Sequence, residues 1–328
     1  MIQEVFFPLC PSPPLIQIDR VTRRFGSKTA LDDVSLVVPR GGVFGLIGGN
    51  GAGKTTLIKH MLGMLRAESG TVRVFGLDPV QNPVGVLGRI GYLSEDRDLP
   101  DWMRVRELMR YTQAFYPAWD ERYAEQLREA FDLDPQAKIK NLSRGQRARA
   151  GLLVALAHRP ELLILDEPSS GLDPVVRRDI LSAIIRTIAD EGRTVLFSSH
   201  LLDEVERVAD RVAMIHEGRV LMAETMEEIQ LTHRRITLRF PEFQDRPPKL
   251  VGALSCSGAG LEWTYTCHGE SEQLKSAATA LGAVVADEAA LSLDEIFVSR
   301  VHPRSDGRLS SPPAYREPST SEPRAASQ

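Results

Sequence analysis

Cysteine is scarce: Cys10, Cys256 and Cys267 are the only three in 328 residues, and they lack C-x-x-C spacing and any nearby His pair suited to zinc. That argues against a disulfide framework or a thiolate zinc site and fits free thiols in a reduced, cytosolic setting. An excess of one charge is missing too. Forty Lys and Arg nearly cancel 44 Asp and Glu, leaving a formal net charge of −4, so no bulk attraction to nucleic acid is expected. No run approaches the roughly 20 apolar residues a transmembrane helix needs. The longest uncharged candidates, such as residues 251–261, are short and rich in Ser and Gly. Residues 1–14 contain Phe6-Phe7 but also Glu4 and no basic start, unlike a signal peptide. Work at a membrane would therefore need another chain to span it. What the chain does have is length and a 42% apolar content, enough for one large α/β domain plus something smaller.

Residues 48–56 read Gly48-Gly49-Asn50-Gly51-Ala52-Gly53-Lys54-Thr55-Thr56 and fit G-x-x-x-x-G-K-[ST]. They follow the apolar run 43–47 and open an amphipathic segment over 57–65, so the spacing predicts a strand, a phosphate-cradling loop and a helix. Gly48, Gly51 and Gly53 are expected to let the backbone reach positive φ and to bring several N–H groups, with the helix's positive end, onto one anion. Lys54 then offers a full charge to the β and γ phosphates, and the Thr55 hydroxyl is placed to ligand Mg²⁺. A plain Gly-rich turn would explain the glycines but not Lys54 and Thr55 behind a buried strand.

Before the loop, strands are expected at 15–19 and 34–38, with Phe25 between them. An aromatic at that distance can stack on adenine or sit in the core, and position alone favours core. After the loop come a strand over 71–75 and a short one over 89–93, which runs into the acidic loop Ser94-Glu95-Asp96-Arg97-Asp98. Helical spacing over 103–131 breaks at Tyr116-Pro117 and predicts two helices. No strand signal returns before Leu162, so a helical lobe interrupts the α/β plan. That lobe ends in Asn141-Leu142-Ser143-Arg144-Gly145-Gln146, where Ser143 and Gln146 form a capping box. Gly145 in the first turn costs roughly 1 kcal/mol against Ala, which points to close approach of something to the backbone, and an exposed helix start is an anion site.

Leu162-Leu163-Ile164-Leu165-Asp166-Glu167-Pro168 reads as a parallel strand buried on both faces. Asp166 at its carboxyl end suits a Mg²⁺-linked carboxylate, and Glu167 could polarise an attacking water. A solvated strand end is the alternative. Asp173 and Pro174 open a helix that Gly192 stops, and a buried strand over 194–197 ends at His200, on the same sheet edge as Lys54 and Glu167.

These residues, in this order, resemble the ATP-binding subunits of ABC transporters over about 15–230. The resemblance implies an α/β P-loop ATPase core with a helical subdomain at about 96–158. It also implies that Phe25 is the adenine-stacking aromatic after all, that 48–56, with Asn50 and Thr56, is the Walker A loop, that Asp166 is the Walker B acid, and that Glu167 and His200 are the catalytic base and switch histidine. Residues 170–173, with Asp173, are similar to the D-loop, and Leu142-Ser143-Arg144-Gly145-Gln146 is similar to the signature that closes the opposite subunit's ATP site. It follows that one copy is incomplete and needs a second ATPase subunit, like or unlike, as well as an integral-membrane partner at the cytoplasmic face of the membrane. Three departures stand out: Gly49 where the family usually has Pro, Arg144 for the middle Gly of the signature, and Glu95 where Gln is usual near Mg²⁺. They resemble variants in exporter-type ATPases.

Past residue 230 the resemblance weakens. Alternation at 235–240 and 262–266, helical spacing at 271–281 and a short helix at 293–301 predict a small α+β domain over 231–302, followed by a Pro/Ser/Arg-rich disordered stretch at 303–328. Cys256, Cys267 and His268 are expected to be packed or exposed rather than metal-binding. The competing functional reading is a soluble ABC-type ATPase acting on ribosomes or DNA. Such relatives generally carry two cassettes or a long coiled coil, and this chain has one cassette and no sustained heptads.

Overall fold

A computed structural model describes residues 13–301; the expected disordered stretch, Cys10 and most of the N-terminal tail lie outside the described residues. The chain divides into two compact units, one of residues up to 231 with 292–301, the other of 232–291.

In the first unit, β1 (Ile16–Phe25) and β2 (Lys28–Val38) form a hairpin, and β3 (Gly42–Ile47) runs through the loop into α1 (Lys54–Met61). β4 (Ser69–Val74) pairs with the other edge of β1, giving an antiparallel sheet ordered β2-β1-β4. Ile16, Ile18, Leu36 and Val38 alternate inward from the paired strands, and α1 buries Leu57, Ile58 and Met61 in the same core. Each such side chain contributes roughly 1.5–3 kcal/mol by burial.

The chain continues through α2 (Pro83–Leu87) and β5 (Ile90–Leu93) into the helical insertion of α3 (Val105–Gln113), α4 (Glu121–Ala130) and α5 (Arg144–Leu156), with no strand before β6 (Leu162–Leu165). Then follow α6 (Pro174–Glu191), β7 (Thr194–Ser199), α7 (Leu202–Val208), β8 (Arg211–His216), β9 (Arg219–Thr225) and α8 (Met226–Thr232). The second sheet is ordered β5-β6-β7-β3-β8-β9, parallel except for the β8–β9 pair. Every residue of β6 and β7 is buried, as expected of parallel strands covered on both faces. Leu165 pairs with Phe197 and Ile47 with Ser199. The carboxyl ends of β3, β7 and β6 therefore lie side by side, and the loops leaving them carry residues 48–54, 200 and 166–168 to one edge.

In the second unit, β10 (His233–Gln244), β11 (Ala253–His268) and β12 (Val284–Ala290) form an antiparallel sheet ordered β11-β10-β12 with α9 (Ser271–Ala280). Its core gathers Ile236, Leu238, Trp263, Tyr265 and Leu274. β12 has no sequence signature, because Ala and acidic residues disfavour strands; pairing with β10 holds it. Cys267 is buried in this core, and that burial pushes its thiol up to about 12. The last helix, α10 (Leu293–Val301), is expected from the sequence in the C-terminal domain but belongs to the first unit, where it packs on α7 and buries Leu293 and Ile296. Among the described residues, no helix is long and apolar enough to cross a membrane.

Candidate nucleotide site

The three neighbouring strand ends meet at one carboxylate. Lys54 is buried, and its Nζ donates to Gly48 O at 2.7 Å and Gly49 O at 3.2 Å and lies 3.0 Å from Glu167 Oε1. Glu167 Oε2 is 2.6 Å from His200 Nδ1. Glu167 thus bridges the loop's cation, two strands away in the sheet, and the histidine that follows the neighbouring strand β7. It does so from a left-handed backbone conformation, φ 47°, which costs a non-glycine residue on the order of 1–3 kcal/mol and persists only where neighbours fix it. One of those neighbours is Ser198. Its Oγ accepts from Glu167 N at 2.9 Å and donates to Asp166 Oδ1 at 2.6 Å, so one hydroxyl sets both acids.

Asp166 lies beneath Glu167. Burial pushes its pKa up, while hydrogen bonds from Ser198 and the Thr55 hydroxyl pull it back down. Its second oxygen, Oδ2, is buried with no hydrogen-bond partner. An orphaned carboxylate oxygen beside a threonine hydroxyl is the hard-oxygen donor set that a Mg²⁺ ion takes, so these residues fit that ion.

The pocket above this junction is lined by the loop from Asn50 to Thr56, by Glu95 and Glu167, and by Phe25, Lys28 and Ala30 from the β1–β2 hairpin. Phe25 is 46% exposed with the Arg23 guanidinium 4.9 Å from its ring centre, so it is not the core residue its position suggests. Lys28 is a second cation at the loop, absent from the sequence reading. Its only signal is its place three residues after Phe25. Gly51 and Gly53 take the expected positive φ, 75° and 114°. Gly48 does not. It is required instead by the close approach of the Ile215 carbonyl from β8, which a Cβ would strike.

Ser143 and Gly145 do not line this pocket. Ser143 caps α5 as the sequence predicts, its Oγ accepting from Gln146 N at 3.2 Å while Gln146 Oε1 accepts from Ser143 N at 3.0 Å. It is exposed. Gly145 corrects an inference: the group that closely approaches it is Val176 of α6, whose Cγ2 would lie 2.7 Å from a Cβ there, so helix packing accounts for the glycine without a ligand. Asp173 caps α6, its Oδ1 accepting from the N–H groups of Val175 and Val176.

The ABC transporter family profile matches residues 31–170. The bacitracin transport ATP-binding protein BcrA of Bacillus licheniformis is 33% identical over 70% of this chain and 74% of its own length. This chain belongs to the ABC transporter ATP-binding family. A further relative, the ABC transporter ATP-binding protein YtrB of Bacillus subtilis, is 27% identical over 87% of this chain and 98% of its own length. A solved ATP-binding subunit of an ABC transporter superposes with a TM-score of 0.61 at 29% identity, covering 66% of this chain and 92% of that one. The protein is accordingly an ATP-binding and ATP-hydrolysing subunit of the ABC transporter type. The α/β core, with its parallel-dominated sheet, is the ABC ATPase cassette.

Proposed function

We propose that this ABC ATPase dimerises around two ATP molecules and drives a separate integral-membrane subunit from the cytoplasmic face of the membrane, in the direction of export. The observation that carries the dimer is the separation just described. The pocket gathers the cation, the acids and the aromatic, yet omits the serine-bearing start of α5, which faces outward with an exposed Ser143. A second copy supplies that part, so that Ser143, with Gln146 fixing it, meets the γ phosphate held by the partner's loop. The bacitracin transport relative supports the transport role, and the exporter-like departures at Gly49, Arg144 and Glu95 support the export direction.

In this reading Phe25 stacks on the adenine, and the backbone of Gly48 to Thr56, with Asn50 at its rim, holds the phosphates. Lys54, held over the loop, balances the β and γ charges. Thr55 and Asp166 would ligand Mg²⁺, with Glu95 close enough to the pocket to bind one of its waters; when bound, the ion would screen the phosphate oxygens. Glu167 takes a proton from water as its oxygen bonds the γ phosphorus and the bond to the bridging oxygen of ADP breaks. His200, 2.6 Å from Glu167, orients that carboxylate.

Mixing subunits tests the shared site. Dimers of one Ser143→Arg chain and one Lys54→Ala chain keep one site with both of its halves altered and one site intact. Such mixed dimers are expected to retain about half of the wild-type turnover per dimer, and a random one-to-one mixture about a quarter, whereas each variant alone retains little. Turnover in the mixture no greater than the sum of the separate variants would reject the shared site.

A further inference from the structure

The segment that leaves Glu167 is held by a side chain the pocket does not contain. Arg97 sits between Asp96 and Asp98 in a stretch that reads as a solvated acidic loop, yet it is only 3% exposed. Its Nη2 donates to Pro168 O at 3.1 Å and to Ser170 O at 2.8 Å. Its Nε is buried with no hydrogen-bond partner. Burying a guanidinium against two carbonyls is costly, and the turn it grips is a specific one: Ser170 N donates to Glu167 O at 3.1 Å, closing the turn that begins at Glu167 itself. On the other side, Ser169 Oγ donates to the buried Glu204 Oε2 at 2.5 Å. Arg97 also keeps the left-handed conformation, φ 51°, at the end of the same short loop whose Glu95 lines the pocket.

We infer that Arg97 is a positioning residue for Glu167. By fixing the carbonyls of residues 168 and 170 it holds the turn that keeps Glu167 in its left-handed conformation, and so keeps the carboxylate between Lys54 and His200. The 94–98 loop thereby sets the geometry of the acid as well as walling the pocket. This rests on the reading of Glu167 as the base.

The test is a double-mutant cycle in the full chain. Arg97→Met is expected to lower kcat about tenfold with the ATP dissociation constant within about twofold of wild type, and Arg97→Lys, which keeps one charged donor, to recover at least about threefold of that loss. In a Glu167→Gln background the same Arg97→Met change is expected to alter the residual turnover by less than about twofold, because its target is gone. An equal tenfold loss in both backgrounds, a loss carried by ATP affinity, or an unchanged kcat would overturn the proposal. Where Arg97→Met does not fold, Arg97→Gln, which keeps one neutral donor, runs the same cycle with the same expectations. Failure of the base reading shows separately, as wild-type turnover by Glu167→Gln alone.

Discussion

The pocket around Lys54 and the start of α5 are both capped by hydrogen bonds, but they close in opposite ways. In the pocket, Lys54, Glu167 and His200 satisfy one another behind buried strands, and Asp166 and Glu167 share Ser198. At α5, Ser143 and Gln146 satisfy only the helix end, and the serine faces solvent. The first region is chemistry that is internally held. The second is a surface: among the described residues, the exposed Ser143 hydroxyl bonds only the helix end that it caps.

The largest effect that would break this contrast is on the pocket side. Glu167→Gln is expected to lower turnover by about 10²–10⁴ while leaving ATP affinity nearly unchanged, since the group lost acts on the water rather than on the bound nucleotide. Steady-state hydrolysis against equilibrium binding separates the two. On the α5 side, Ser143→Arg is expected to lower turnover about 10–100-fold with ATP binding by the single subunit intact, because Ser143 lies outside the pocket. A matching loss of binding in the monomer would put the serine in its own chain's site and erase the distinction.

A third change sharpens the comparison by removing Gly145 from the ligand argument. Gly145→Ala is expected to cost about 1–3 kcal/mol of stability by overpacking against Val176, and Val176→Ala in the same chain to recover most of it. Denaturant titration of the four proteins reads the coupling. Unchanged stability in Gly145→Ala with a loss of turnover would return the glycine to the phosphate.

The smallest effect concerns pH. His158 is buried, stacked on Tyr116 at 3.8 Å, and burial lowers its pKa below the ordinary 6.5. Above pH 6.5 it is neutral in both states, so its contribution is fully present. As pH falls below 6.5 the unfolded chain binds the proton first, and stability is lost down to the folded value. Glu204 works the other way. Burial raises its pKa, so its contribution is full below 4.5 and lost as pH rises through the folded value. His158→Gln is expected to flatten the fall of the melting midpoint below pH 6.5, and a slope identical to wild type would assign the acid sensitivity elsewhere.

Local motifs were legible in the chain because each needs only its own neighbours. The loop 48–56, the capping box at Ser143 and the wholly apolar β6 are fixed by spacing and by helix-end and strand chemistry. What escaped reading is carried by contacts between distant segments. Arg97 looks solvated among aspartates until Pro168 and Ser170 come to it across 71 and 73 residues. The reasons for Gly48 and Gly145 lie in Ile215 and Val176, and Lys28 enters the pocket only once the hairpin is folded beside the loop. β12 exists by virtue of its partner, and the helix at 293–301, though legible as a helix, gives no sign in its own segment that it packs back on α7.

The most direct measurement of the shared nucleotide site is the solution mass of the full-length Glu167→Gln protein by light scattering, with and without saturating Mg·ATP. The account predicts a monomer without nucleotide and a stable dimer with it, the dimer being lost when Ser143→Arg is added. A monomer under both conditions, alone and with its membrane subunit present, would contradict it.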